Sequence, residues 1–571
     1  MVIRHSLSLH ALFRLSLQCC CLVLLVQGVY AQALEAQREE RPNILLLMAE
    51  DMSLRVAAFG DEVAVTPNLD ALAKEGVRYP NTFTAAGVCA PSRAAHILGM
   101  HQISTGGQHM RTSTRPEGGY FAVPPAQVKA YPELLRAAGY YTYTDMKLDY
   151  QFSSGFPGSG PFTIWNEEGD SNADWQGRAQ GQPFFGFRNF MVTHESGVFR
   201  PIGDMPNSVM HFIMQAMRWY RMDGAVPEVV DAADVQIPPY YPDTPTVRAD
   251  LARHYNNIAY MDGEVGAILK QLEDDGLADS TIVIWTTDHG DGLPRAKREL
   301  YDSGLKVPMI IRWPEQYRPA DVEPGSVDAR LISFIDFAPT ILRLAGVEVP
   351  DYQQGQDFAD QQVEHREYIF ASRDRIDEVP DRQRAIRDER FKYIRSWYPQ
   401  QEQGHPLKYR DNIDMVREMR AMYQAGELNE PQSRWFQPPG AEQLYDLGSD
   451  PFELHNLAND SAYRSQLNRL GTALDIHLAE VGDWSDESET AMVTRFQPDG
   501  EREQTAAPAL SMFDNKLVLK ASTPGSSLGY RIENGPWKLY SAPVSIPDGS
   551  KIEAKAVRYG WEESGIVSAQ W

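Results

Sequence analysis

Ile44 to Met48 is an unbroken apolar run between Pro42-Asn43 and the acids Glu50-Asp51, which predicts a strand buried on both faces with ligands at its carboxyl end. Thr66-Pro67, followed by Leu69, Leu72 and Ala73 on one face, opens a helix that runs to Lys74. From Asp250 to Asp275, Leu251, Tyr255, Ile258, Met261, Val265, Ile268, Leu269 and Leu272 hold helical spacing over several turns. After a turn at Gly276, the β-branched run Thr281 to Thr286 leads to another acid, Asp288, and Val307 to Ile311 follows as a buried strand. Helix then strand, with polar residues at the strand's carboxyl end, predicts a doubly wound α/β sheet.

The pattern changes after about Glu364. Arg384 to Trp397 alternates as exposed antiparallel strands do, which predicts a smaller α+β subdomain over residues 366–498 behind an α/β domain at 38–365. Residues 499–508 are polar with Pro and Ala, and read as a linker. Beyond it, residues 517–519, 528–532, 537–540 and 552–556 read as short strands of a small β module at 509–571. No internal repeat is visible.

Residues 1–31 read as a secretory leader, with Arg4 and Arg14 ahead of a largely apolar Leu15 to Val29 and Val29-Tyr30-Ala31 as the cleavage signal. The expected mature protein is exported, periplasmic or secreted, and does not span a membrane. Three of the four cysteines, Cys19, Cys20 and Cys21, lie inside this leader. A lipoprotein reading would need a small residue before the first of them, where Gln18 stands. The net charge of -24 argues against a nucleic-acid partner, because excess carboxylate repels phosphate backbones.

Cys89 is the one remaining thiol, and it opens Cys89-Ala90-Pro91-Ser92-Arg93 ahead of a small, mostly apolar stretch to Met100. Chance would supply Cys, Pro, Ser and Arg at these offsets with odds on the order of one in a thousand. A lone thiol kept in this setting points to chemistry rather than packing. The run resembles the maturation signal of type I, formylglycine-dependent sulfatases. So do Arg41 to Leu47 ending in Glu50-Asp51, Thr66 to Ala73, Thr287-Asp288-His289-Gly290 and Leu444-Tyr445-Asp446-Leu447, in that family's order from about Arg41 to about Glu480. Pro239 to Leu251 looks like the N-sulfoglucosamine sulfohydrolase branch, and bacterial relatives of this look act on polysaccharides such as ulvan.

That resemblance implies an alkaline-phosphatase-like fold and an enzyme that hydrolyses sulfate esters of a sulfated carbohydrate. It implies oxidation of Cys89 to formylglycine by a formylglycine-generating or anaerobic sulfatase-maturating enzyme. A hydrated aldehyde suits the task, since one hydroxyl attacks sulfur and the other expels sulfate by re-forming the carbonyl, whereas a serine sulfate would be as hard to cleave as the substrate. Glu50, Asp51 and Asp288 carry over, with Cys89, as oxygen-rich ligands of one calcium ion, and His289 either coordinates it or orients sulfate. Arg93, one helical turn after Cys89, Lys147 and Lys297 carry over as cationic catalytic residues, and His194 as the acid for the bridging oxygen. The family's histidine two places after Lys147 is replaced by Asp149. His101, His109 and Arg111 follow closely enough to line a sugar subsite, and Trp165, Trp175, Phe184 and Phe185 either stack on a sugar or fill the core. The tail resembles modules of the fibronectin III or chitobiase C-terminal type. A phosphodiesterase or phosphonate hydrolase of the same superfamily, and a non-catalytic glycan-binding protein, are the competing readings.

Overall fold

The computed structural model describes residues 41–571 except 170, 171 and 223, so the stretch read above as a leader, with Cys19, Cys20 and Cys21, lies outside the described residues. Its central sheet uses β1 (Asn43–Ala49), β2 (Val77–Phe83), β3 (Tyr141–Asp145), β4 (Glu167–Gly169), β5 (Phe184–Phe190), β6 (Thr281–Thr287), β7 (Lys306–Arg312) and β8 (Ile332–Ser333). Their order is β4-β3-β5-β1-β6-β7-β2-β8. β1 lies parallel to β5 and β6, and all seven of its residues are buried, as an unbroken apolar run requires.

The sheet is mixed rather than wholly parallel. β7 runs antiparallel to both β6 and β2, because the chain after β6 returns across the sheet's edge through residues 288–305 with no crossover that spans a face. The carboxyl ends of β1, β2, β3, β5 and β6 therefore share one edge, and the return loop lies on it.

Alternate residues of β1 feed two cores. Leu45 and Leu47 pack with Leu251, Tyr255, Ile258, Met261 and Val265 of the helix Pro245–Asp274. Ile44, Leu46 and Met48 face the other way, toward Ile97, Leu98, Tyr131, Leu135, Phe337 and Ile341.

Ile369–Arg373, Gln383–Arg387, Phe391–Ser396 and Glu442–Asp446 form a second, antiparallel sheet. The expectation of exposed strands fails here. The helix Arg464–Val481 covers one face and Phe83, Leu300 and Leu305 the other, so Gln383 to Arg387 is buried throughout. Seven further short strands between Ala509 and Gln570 make two small sheets. This module is docked hard on the sheet domain: Tyr559 is fully buried, stacks on Phe152 with centroids 4.7 Å apart, and donates to Glu133 at 2.8 Å. The stretch read as a linker is itself held down, since the Thr505 amide donates to the Glu562 carbonyl at 3.0 Å. Among the described residues, no helix is long and apolar enough to cross a membrane.

Candidate active site

Register explains why residues far apart in sequence meet. Ala49 pairs with Phe190 on one side and Thr287 on the other, so Glu50-Asp51, the segment before His194, and Asp288-His289 leave the sheet side by side. Cys89 begins the helix Cys89–Leu98, whose cap, Val88, offers no side-chain hydrogen bond, so the helix's positive end is left facing the same edge. Ser92 fastens this helix by donating to the Asp288 carbonyl at 2.6 Å. The return loop must pass close by. A Cβ on Gly290 would overlap the Ser303 carbonyl and one on Gly87 the Glu299 carbonyl, so both positions need glycine.

The Cys89 thiol lies 3.2 Å from His289 Nε2, 3.4 Å from Lys297 Nζ and 3.7 Å from a carboxylate oxygen of each of Glu50 and Asp51. Cys89, Glu50, Asp51, Asp288 and His289 have no exposed surface. Buried acids need partners. Arg93 donates to Glu50, to Asp288 at 3.2 Å and to Asn189 at 2.7 Å; Lys147 donates to Glu50; Lys297 donates to Asp51 at 2.6 Å and lies 3.2 Å from Glu195. Burial alone would raise the Asp51 carboxyl, but Lys297 and His289 outweigh it and hold it well below its ordinary value.

His289 Nδ1 lies 2.9 Å from the Gly290 carbonyl, to which it can only donate, and Nε2 lies 3.0 Å from an Asp51 carboxylate oxygen; burial opposes protonation of the ring, but Asp288 and Asp51 outweigh it and hold the imidazole well above its ordinary value, so Nε2 donates to Asp51 and would serve as a ligand atom only once deprotonated. Two overlapping sets, Glu50-Asp51-Cys89-His194 and Asp51-Cys89-Asp288-His289, each bring their donor atoms within 4.8 Å of one another. Each set offers two carboxylate oxygens beside one imidazole nitrogen and the Cys89 sulfur, and the three carboxylates Glu50, Asp51 and Asp288 taken together suit a hard divalent cation such as calcium. His194 Nδ1 lies 3.0 Å from Ser196 Oγ, and burial, reinforced by Lys297, lowers the imidazole to about 3.

The structure thus brings Cys89, Arg93, Lys147, His194, Lys297, Glu50, Asp51, Asp288 and His289 together. Arg111 reaches the rim, where it donates to Asp149 at 2.8 Å while Asp149 lies 3.9 Å from Lys147. Asp149 is therefore an anchor for two cations. His101 is elsewhere, packed edge-on against His477 with centroids 4.7 Å apart, and His109 accepts the Arg375 amide at 3.3 Å under the second sheet's loops. Neither joins the cluster. Trp165 stacks on Phe185 and Trp175 on Phe184, all buried in the two cores, so none offers a face to a sugar.

Glu195, Arg298, Asn189 and Tyr409, whose ring meets that of His194 edge-on with centroids 6.2 Å apart, escaped the sequence reading. Glu195 receives both arms of Arg298, at 2.8 and 2.9 Å, and Arg298 in turn pairs with Asp377 at 2.9 Å. The run Arg295 to Glu299, with four charges in five residues, looks like a solvated loop yet is buried throughout. Only adjacency to His194 and Lys297 could have flagged Glu195 and Arg298.

Comparison with known proteins agrees with this geometry. The sulfatase family matches residues 42–347, and the family described as "N-sulphoglucosamine sulphohydrolase, C-terminal" matches residues 295–436. An "Ulvan-active sulfatase" of Formosa agariphila is 41% identical over 563 residues, covering 94% of this chain and 92% of that one. Human N-sulphoglucosamine sulphohydrolase is 28% identical over 348 residues, covering 58% of this chain and 65% of that protein. A solved "2-O GAG sulfatase" superposes with a TM-score of 0.54 at 19% identity, covering 78% of this chain and 94% of that one, which shows a shared fold. With more than half of its length matched and a relative this similar along nearly the whole of both chains, the protein belongs to the sulfatase family and is a sulfuric ester hydrolase.

Proposed function

We propose that this chain removes sulfate esters from a sulfated polysaccharide or its oligosaccharides, with ulvan or another algal glycan ahead of a glycosaminoglycan. The observation that carries this reading is the convergence of Cys89, three carboxylates and three cationic side chains in one buried cluster of a chain 41% identical to an ulvan-active sulfatase. Export to the periplasm or the medium, where such polymers are met, belongs to the same reading.

Glu50, Asp51, Asp288 and His289, with residue 89, would hold a calcium ion, which would supply positive charge for the sulfuryl oxygens. Formylglycine at position 89, made by a formylglycine-generating or anaerobic maturating enzyme, would supply a geminal diol as nucleophile. The remaining work falls to the chain's own side chains. Lys147, paired with Glu50, and Lys297, paired with Asp51 and 3.4 Å from the Cys89 sulfur, can bind the anion's oxygens. Arg93 is engaged with Glu50, Asp288 and Asn189, and so positions the acids rather than reaching for substrate. Because Ser196 engages His194 Nδ1, Nε2 is the nitrogen left for the bridging oxygen. Burial keeps this ring neutral in the free protein; the negative charge of a bound sulfuryl group acts in the opposite direction and favours its protonation.

A second reading, N-sulfoglucosamine sulfohydrolysis, is favoured by the match over residues 295–436. Ion chromatography of sulfate released from defined ulvan, carrageenan and heparan oligosaccharides separates the two. Release from ulvan oligosaccharides first is expected, release from N-sulfated heparan alone would transfer the reading, and binding without release would leave a glycan-binding protein. Turnover of matched phosphate esters above sulfate esters would instead favour a phosphodiesterase.

A further inference from the structure

The cations inside the cluster are closed off from solvent. The side chains of Arg93, Lys147, Lys297 and Arg298 are between 1 and 6% exposed, and each pairs with a buried carboxylate. Arg111 differs: it stands at the rim with 35% of its side chain open. Asp149 takes its Nε at 3.4 Å and its Nη2 at 2.8 Å, which uses one edge of the guanidinium. Among the described residues Nη1 has no partner, so the edge formed by Nη1 and the outer hydrogen of Nη2 is left open at the mouth of the site.

This pose is imposed rather than adopted freely. Arg111 and Asp149 both have left-handed backbone, with φ of 48° and 59°, which side-chain-bearing residues keep only where their surroundings enforce it. Both neighbours of Arg111 are pinned: the Met110 amide donates to the Arg375 carbonyl at 2.8 Å and the Thr112 amide to Gln151 at 3.0 Å. Asp149 does not cancel the charge it holds. Its carboxylate also faces Lys147 at 3.9 Å, so one anion stands between two cations, and Asp377 nearby is drawn off by Arg298 at 2.9 Å.

We propose that Arg111 binds a second anionic group of the substrate, a carboxylate or a further sulfate close to the sulfate being removed, with Asp149 as its positioning residue. This rests on the carbohydrate-sulfatase reading and narrows it to glycans that carry two anionic groups near each other. A planar fork with one open edge matches the paired oxygens of a carboxylate or a sulfate better than it matches a lone hydroxyl. Lys147 and Lys297, deeper and beside Cys89, are placed for the sulfate that is cleaved, so Arg111 is free for another group. A chain of net charge -24 repels a polyanion in general, and a fixed, open cation beside the entrance offsets that repulsion where it matters. The same assignment gives a reason for Asp149 in place of the expected histidine, since a histidine would not supply the carboxylate that fixes Arg111.

Steady-state kinetics of the wild type, Arg111→Ala, Arg111→Lys and Asp149→Asn on three oligosaccharides with the same cleavable sulfate test the assignment. One carries a neighbouring uronate, the second is the same compound with that carboxyl reduced to the alcohol, and the third carries a second sulfate there. The wild type is expected to favour the uronate or the disulfate over the reduced compound by about tenfold to a hundredfold in kcat/KM, the range of a charge-assisted hydrogen-bonded pair. Which of the two it favours identifies the group. Arg111→Ala should erase that preference, losing far less on the reduced compound; Arg111→Lys should restore only part of it, because a point charge lacks the fork. Asp149→Asn should weaken it through a raised KM. A wild type without preference, or losses in Arg111→Ala that are equal on all three compounds, overturns the inference and leaves the sulfatase reading standing. No sulfate release from any of the three overturns both.

Discussion

Glu50 shows how closely the site is tuned at the level of single groups. It is fully buried, and it accepts from both Arg93 and Lys147, so one carboxylate ties the helix after Cys89 to the loop after β3. Two substitutions test the roles read from this arrangement. Cys89→Ala is expected to abolish sulfate release while far-ultraviolet circular dichroism and the melting temperature stay close to wild type; full activity in that variant would remove Cys89 from the reaction. His194→Ala is expected to slow sugar sulfates more than activated aryl sulfates, by about a hundredfold against tenfold or less, because good leaving groups need less protonation. Equal losses on the two substrates would show that His194 binds rather than protonates.

At the scale of elements, the loop from Met146 to Gln151 carries unusual backbone strain. Met146, Asp149 and Gln151 have φ of 60°, 59° and 68°, and such conformations persist only where surroundings impose them. Gln151 receives the Thr112 amide at 3.0 Å, and Phe152, next along the chain, lies under Tyr559 of the C-terminal module. Tyr559→Ala should therefore cost about 3–5 kcal/mol in denaturant unfolding, as for other buried aromatics. It should also lower kcat on sulfate esters as the Lys147 loop loosens, whereas Tyr559→Phe, which keeps the stack, should recover most of it. The second sheet offers a pH test. Arg384, buried in Gln383–Arg387, pairs with Asp374 at 3.0 Å and Asp483 at 2.9 Å. Burial opposes ionisation of Asp483, but Arg384 outweighs it and the carboxyl falls from 3.8 to about 2. Its contribution is thus complete above 3.8 and lost as pH falls through about 2. Denaturant unfolding of wild type and Asp483→Asn should differ at neutral pH and converge across that interval.

For the whole molecule, the site is a junction: segments following β1, β2, β3, β5 and β6 all end in it, so whatever neutralises its acids supports the entire sheet edge. A cation that binds only the folded chain stabilises it by mass action, by about 2.7 kcal/mol at a hundred times its dissociation constant. Calcium is therefore expected to raise the melting temperature of the purified protein and a chelator to lower it, with Asp51→Asn blunting the response. Indifference to both would remove the ion from the account.

Local pattern determined much of this by itself. The apolar runs fixed β1 and β6, the helical spacing fixed Pro245–Asp274, and the acids at strand ends together with Cys89-Ala90-Pro91-Ser92-Arg93 marked the chemistry, because periodicity and short motifs are properties of neighbours along the chain. Tertiary structure alone decided the reversal of β7, the burial of Arg295 to Glu299 and of Gln383 to Arg387, and the removal of His101 and His109 from the cluster. It alone gave Asp149 its place between Arg111 and Lys147 and bound the C-terminal module to the loop they share. A charged residue reads as solvated until a partner arrives from a distant segment, and which segment arrives depends on sheet order and register, which no window of sequence contains.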